Sequence, residues 1–319
     1  MAARTELDVT RSGTSASDLQ RNPGPSWGFS FLRLCDRMLP EFAFMPLRAA
    51  GTMIAMAFMH GQRRHSREYL SIVLPRPPGT WDVFRHFFAF EESLMAKLRV
   101  ANGRDIPCEY DPSAVAFKAW LAGGGPVLLG TFHVGASDML GFQIGCHERR
   151  RIHLIRHRVA NSRDTERLAE ISGGLVEFIW GNEPLEMIFA LKSAAESGDA
   201  IAMQCDRIEN ARQTADFEFL GARRLFPITI YRLALILGRP VILTVGVPLG
   251  SGRSLLYGTP RFDLVPGEDR GEAIARGKVH FQGFLRMVER LLRERPYLWF
   301  NFIPLNPPAG AGAAGAPDA

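Results

Sequence analysis

The chain has 319 residues, enough to bury a full core as one large domain or two small ones. Its 46% hydrophobic and 22% charged content is that of a globular protein, and four cysteines (35, 108, 146, 205) without a C-x-x-C pair exclude a disulfide framework or a thiolate zinc site and point to a reducing compartment. The net charge of +5 is almost all arginine, with lysine only at 97, 118, 192 and 278; GC-rich coding gives that bias, and arginine's planar fork also suits anionic partners.

Residues 1–26 are polar, lack an apolar signal core and read as a disordered leader. Residues 27–75 read as a helical, membrane-associated segment. Within it the stretch Leu39–Met59 is apolar, but its uninterrupted part, Ala49–Met59, falls short of the roughly 20 residues a spanning helix needs. That predicts an interfacial or re-entrant helix, with a buried core helix as the alternative. Arg63, Arg64, His65 and Arg67 follow, as on a cytoplasmic flank near anionic lipid. Pro75–Gly79 breaks the chain and opens a catalytic domain over 76–306, beginning with an aromatic-rich helix at 81–98.

Strands are then predicted at 126–132, 152–156, 175–180, 200–205, 215–220, 241–248 and 255–263. Helices are predicted at 135–147, 162–172, 184–197, 227–238 and 270–295. Continuous apolar strands such as Ala200–Cys205 and Val241–Val245 need cover on both faces. The fold class is therefore α/β, a mostly parallel central sheet flanked by helices, behind an N-terminal membrane-proximal helical segment. The Ala/Gly/Pro-rich residues 307–319 read as a flexible tail.

Ligands of open α/β sheets collect at the carboxyl ends of the strands. Those ends carry His133, then Arg156 and Arg158, then Asp206 and Arg207. His133 closes an apolar run, and Asp138 follows across small residues, where a carboxylate can bond the far ring nitrogen and fix the tautomer of a general base. Spacing alone is weak, because a chain of this composition yields about one His-x4-Asp/Glu match by chance. His86 with Glu91 is a second match, but it lies in an aromatic helix, where packing or groove lining explains it better. Cations near a base are what an acyl-transfer site requires to stabilise an oxyanion.

Other chemistries fit less well. No phosphate-cradling glycine motif follows a strand. Ser137 sits in Gly135-Ala-Ser-Asp-Met139, which lacks the second glycine of a nucleophile elbow. Cys146, His147, His153 and His157 do not make a convincing metal set, and none is expected. The basic run Arg149–Arg158 lacks interleaved aromatics and argues against nucleic acid. It reads as a solvated face or as a docking face for an acidic carrier or anionic headgroup.

Several blocks between Trp27 and Leu305 carry a family resemblance. These are Leu129-Gly-Thr-Phe-His-Val-Gly-Ala-Ser-Asp138, Ala200–Arg207, Phe219-Leu-Gly with Arg223 and Pro227 followed by Leu233-Ala234 and Pro240-Val241, and Arg295-Pro-Tyr-Leu-Trp-Phe-Asn-Phe302. In order, they resemble the lysophospholipid acyltransferase superfamily, in particular its bacterial lipid A (lauroyl/myristoyl) branch. Asp in place of Glu at 138, and the lack of a long N-terminal apolar span, depart from the lipid A enzymes. The resemblance implies His133 as general base, Asp138 as its orienting carboxylate and Asp206 as a shaper of the site. It further implies Gly221, Arg223 and Pro227 on the acceptor side, with Arg158, Asn161 and Arg207 as oxyanion or phosphate contacts. It also implies an acyl carrier protein or coenzyme A thioester as co-substrate, no cofactor, a lipid-like acceptor, and a place on the cytoplasmic face of the bacterial inner membrane. A thioesterase-like hydrolase and a non-catalytic lipid- or carrier-binding protein are the rival readings.

Overall fold

The computed structural model describes residues 26–305 apart from 102–103, 105–106, 138–139, 142–143, 145–148, 158–168, 171, 209–212 and 251–252. Four helices come first: α1 (Ser26–Met38), α2 (Glu41–Phe58), α3 (His60–Val73) and α4 (Thr80–Ala101). There follow β1 (Cys108–Tyr110), α5 (Val115–Gly123), β2 (Leu128–Thr131), β3 (Ile152–Arg156) and β4 (Val176–Trp180). The second half holds α6 (Pro184–Glu196), β5 (Ala200–Gln204), β6 (Thr214–Phe219), β7 (Ala222–Pro227), α7 (Thr229–Leu237), β8 (Val241–Gly250), β9 (Arg253–Gly258) and α8 (Arg270–Glu294).

Seven strands make one sheet in the order β1-β9-β8-β2-β5-β3-β4. β8, β2, β5, β3 and β4 run parallel, whereas β9 pairs antiparallel with β8 and carries β1 parallel at its far side. Alternation along each strand divides the core in two. Leu128, Ile201, Val241 and Leu243 point into one cluster with α3, α6, α7 and α8. Leu129, Ala200, Ile242 and Ile152 point into the other, against α5. Two covered faces explain why these strands read as unbroken apolar runs.

Two strand expectations need correction. Residues 255–263 were expected as a strand of a mostly parallel sheet; β9 spans 253–258 and is antiparallel to β8, from which only two residues separate it. The strand expected at 215–220 does not join the central sheet. It forms a two-stranded hairpin with β7, a strand that falls where the resemblance implied an acceptor-side loop. β1 and α5 were not anticipated, since three residues and a nine-residue Ala/Gly-rich helix give little periodicity. Of the helix expected at 135–147, positions 137, 140, 141 and 144 are helical, and most of 162–172 lies outside the described residues.

The hairpin lays Phe217 and Phe226 against Phe132 and Phe281, with Phe226 stacked on Phe132 at 5.8 Å between centroids, Phe284 edge-on to Phe132 and Phe219 edge-on to Phe226. Each fully buried phenylalanine contributes about 1.5–3 kcal/mol. This aromatic block backs the end of β2, just before His133.

α2 is oriented opposite to an ordinary amphipathic helix. Its buried stripe is Phe44, Arg48 and Thr52, and Arg48 makes a two-pronged ion pair with Glu91 of α4 (Nε–Oε1 2.9 Å, Nη2–Oε2 2.7 Å). Its exposed side carries Phe42 (81% exposed), Met45, Met53, Ile54 and Phe58 (79% exposed), adjoining exposed Phe31, Leu34, Met38 and Leu39. Among the described residues no single helix is long and apolar enough to cross a membrane. The pair α2 and α3 passes that test together, bent by 98° at Met59.

Candidate active site

β2 and β5 are neighbours in parallel register, with Thr131 opposite Gln204. The two strands therefore end at one level, and two residues beyond each end stand His133 and Asp206. His133 Nδ1 lies 2.7 Å from Asp206 Oδ1, and the His133 main-chain N–H donates to Asp206 Oδ2 at 3.0 Å. Trp299 Nε1 donates to the same Oδ2 at 3.1 Å. A carboxylate only accepts, so Nδ1 carries the ring proton and Nε2 is left with its lone pair. Among the described residues Nε2 has no hydrogen-bond partner, and the His133 side chain is 18% exposed.

Asp206 is fully buried. Burial alone would push its carboxyl up, but the His133 imidazole, Arg207 and the Trp299 indole outweigh that and hold it below the usual carboxylate range. The charge is thus kept where it can orient the imidazole and stabilise an imidazolium. Beside it, burial pushes the Cys205 thiol well up, so this cysteine stays protonated and is no thiolate nucleophile.

The loop after His133 is held on three sides. Gly135 has φ of +51°, and a Cβ there would stand 2.6 Å from Gly246 O, so a side chain would collide with β8. Ala136 N donates to Gly246 O at 2.8 Å, and Gly246 N donates to Ser137 Oγ at 3.1 Å. Ser137 is therefore buried and engaged in holding the loop rather than presented as a nucleophile. Ser93 Oγ of α4 donates to Gly135 O at 2.8 Å. A narrow apolar cavity of about 50 Å³ opens beneath, lined by Leu129, Leu140, Leu154 and Met203 and reaching Thr131 and Gln204 at the strand ends.

The other expected site residues are placed less centrally. Arg207 Nε donates to Asn301 Oδ1 at 3.2 Å, next to the pair. Leu220 and Gly221, with φ of +51° and +75°, make the two-residue turn of the β6–β7 hairpin that left-handed backbone requires. Arg223 is exposed opposite Glu218, and Pro227 is buried at the end of β7. No described contact joins Gly221, Arg223 or Pro227 to His133. Asp138, Arg158 and Asn161 lie outside the described residues, as do Cys146 and His147.

The basic run before β3 is partly committed to structure. Arg150 Nε donates to Leu121 O at 2.8 Å and caps the end of α5, while His153 Nε2 meets Asp199 Oδ2 at 3.1 Å and its Nδ1 lies 3.4 Å from Glu177. Arg156 lies over Phe178 at 5.7 Å. No metal-holding cluster of His, Cys, Asp or Glu occurs among the described residues. His86 is fully buried, as its aromatic context suggested: Nε2 faces Trp299 O at 2.8 Å and Nδ1 faces Ser66 Oγ at 2.9 Å.

Two groups at the site escaped sequence reasoning in their roles. Asp206 was read as a shaper of the site, not as the partner of Nδ1, because strand order and register decide that pairing. Trp299 was noted only as part of a terminal motif, and nothing local in Pro296–Phe302 tells that its indole reaches a carboxylate.

No protein-family model and no curated protein sequence matches the chain. Among solved structures, the chain is similar to the 1-acyl-sn-glycerophosphate acyltransferase PlsC of Thermotoga maritima, at 13% identity and a TM-score of 0.35, over 76% of this chain and 95% of that one.

Proposed function

We propose that this protein is an acyltransferase that moves a fatty acyl group from a thioester of acyl carrier protein or coenzyme A to a hydroxyl or amine of an amphipathic, lipid-like acceptor. The observation that carries this reading is the His133–Asp206 pair, with Nδ1 bound to a buried carboxylate and Nε2 open at the end of the sheet. In this scheme Nε2 takes the proton of the acceptor as its oxygen or nitrogen attacks the thioester carbonyl. The new C–O or C–N bond forms, the C–S bond breaks, and the imidazolium returns the proton to the leaving thiolate. General-base help of this kind is worth about 10²–10⁴ in rate. Asp206 stabilises the imidazolium, and Arg207 beside it adds positive potential where the oxyanion develops.

The outward apolar side of α1 and α2 supports a membrane-surface setting at the cytoplasmic leaflet, where the acceptor is dissolved. The exposed arginines Arg64 and Arg67 on α3 suit anionic headgroups. The lipid A branch is one source of such an acceptor.

The test is product analysis with purified protein, labelled acyl thioester and a membrane-lipid extract. The expected product is labelled lipid that forms only when extract is present. Free fatty acid formed at the same rate with or without extract would instead identify a hydrolase, and thioester binding without any product would identify a carrier-binding protein.

A further inference from the structure

The catalytic pair is the end of a longer line of contacts. Trp299 is buried, and its indole N–H shares Asp206 Oδ2 with the His133 main-chain N–H. The segment that bears it is stitched to the His133 loop: Phe300 N donates to His133 O at 2.7 Å, and Gly135 N donates to Leu298 O at 2.8 Å. Val134 and Trp299 form an antiparallel bridge between these bonds. From the other side, His86 of α4 faces the Trp299 carbonyl at 2.8 Å. A carbonyl only accepts, so His86 donates from Nε2 and takes the Ser66 hydroxyl proton at Nδ1. Tyr69 of α3 and Phe219 of β6 meet the indole edge-on at 5.2 and 5.5 Å, which blocks its rotation.

A carboxylate can turn about its Cβ–Cγ bond. With Oδ2 gripped by two donors, Oδ1 has one direction to point, and that direction is Nδ1 of His133. We propose that Trp299 is the positioning residue of the catalytic pair, its indole N–H locking the Asp206 carboxylate onto His133, with His86 and Ser66 locking Trp299 in turn. The consequence for rate rests on the acyl-transfer reading above; the consequence for the imidazole does not. The line Ser66–His86–Trp299–Asp206–His133 also ties α3 and α4 to the base, so the helices next to the exposed apolar side brace the chemistry.

The experiment uses the full chain with Trp299 replaced by benzothienylalanine, whose ring keeps the indole shape with sulfur in place of N–H. Trp299→Phe serves as a second variant, and the isostere decides the matter if the phenylalanine variant does not fold. In the wild type, ¹⁵N spectra of the His133 ring, assigned by their loss in His133→Ala, are expected to show the Nδ1–H tautomer alone. In the isostere the ring becomes a mixture of tautomers. Acyl transfer falls about 10- to 100-fold in kcat with KM for the thioester within about twofold. The acidic limb of the pH–rate profile moves to lower pH, because a carboxylate free to turn away from Nδ1 stabilises the imidazolium less. A purely structural tryptophan would move neither the tautomer nor the limb. An isostere with unchanged ring spectra overturns the proposal. A wild type that shows the single tautomer but transfers no acyl group would overturn the functional reading while leaving the role of Trp299 standing.

Discussion

His133 and Asp206 are 73 residues apart in the chain and 2.7 Å apart in space. His133 was legible because an apolar run stops on it at a strand end. Its partner was not, because the neighbour of β2 is β5, and only the register Thr131–Gln204 brings the second residue past each strand together. Local spacing pointed to Asp138, which lies outside the described residues. Replacing each acid by its amide separates the two: Asp206→Asn is expected to lower kcat about 10²–10⁴-fold with the fold kept, since an amide presents no charge to the imidazolium and disturbs its tautomer. Wild-type kcat in Asp206→Asn, alongside loss in Asp138→Asn, would show that the sequence spacing named the right carboxylate.

Elements meet at His86. Burial pushes its imidazole down to about 4, opposed only in part by its bond to the Trp299 carbonyl. A histidine depressed in the fold binds its proton better when unfolded, so its neutral form stabilises the protein fully above pH 6.5 and progressively less as pH falls towards 4. The loss across that window is on the order of 3 kcal/mol at 1.36 kcal/mol per pH unit. His86→Gln keeps an N–H for the carbonyl but does not titrate, so its denaturation midpoint should fall less than the wild type's between pH 7 and 4.5. Equal falls would place His86 outside the stability balance. The helices α1 and α2 give a second prediction. The apolar stretch Leu39–Met59 was legible as too short for a straight span, but which residues face outward depends on the Arg48–Glu91 pair turning α2 towards α4. Changing Phe42, Met53, Ile54 and Phe58 together to serine is expected to abolish sedimentation with anionic vesicles while leaving His133 chemistry on a soluble acceptor intact. Undiminished vesicle binding would contradict that face as the contact.

Across the whole molecule, the mostly parallel sheet was legible because apolar strand runs alternate with amphipathic helices and leave no face for solvent. The departures occur where local pattern is thin: three-residue β1, small-residue α5, and the arginine-bearing β7, whose partner is its own neighbour β6. Two covered faces leave the carboxyl edge as the place where polar groups converge, and there the chain sets one histidine, one buried carboxylate and a tryptophan that binds it. The central claim is that this histidine is the base that drives acyl transfer. It is tested most directly by following labelled acyl thioester into lipid with purified wild type and His133→Ala under identical conditions. The account predicts labelled lipid from the wild type and a near-complete loss in a folded His133→Ala protein; equal transfer by the two would contradict it.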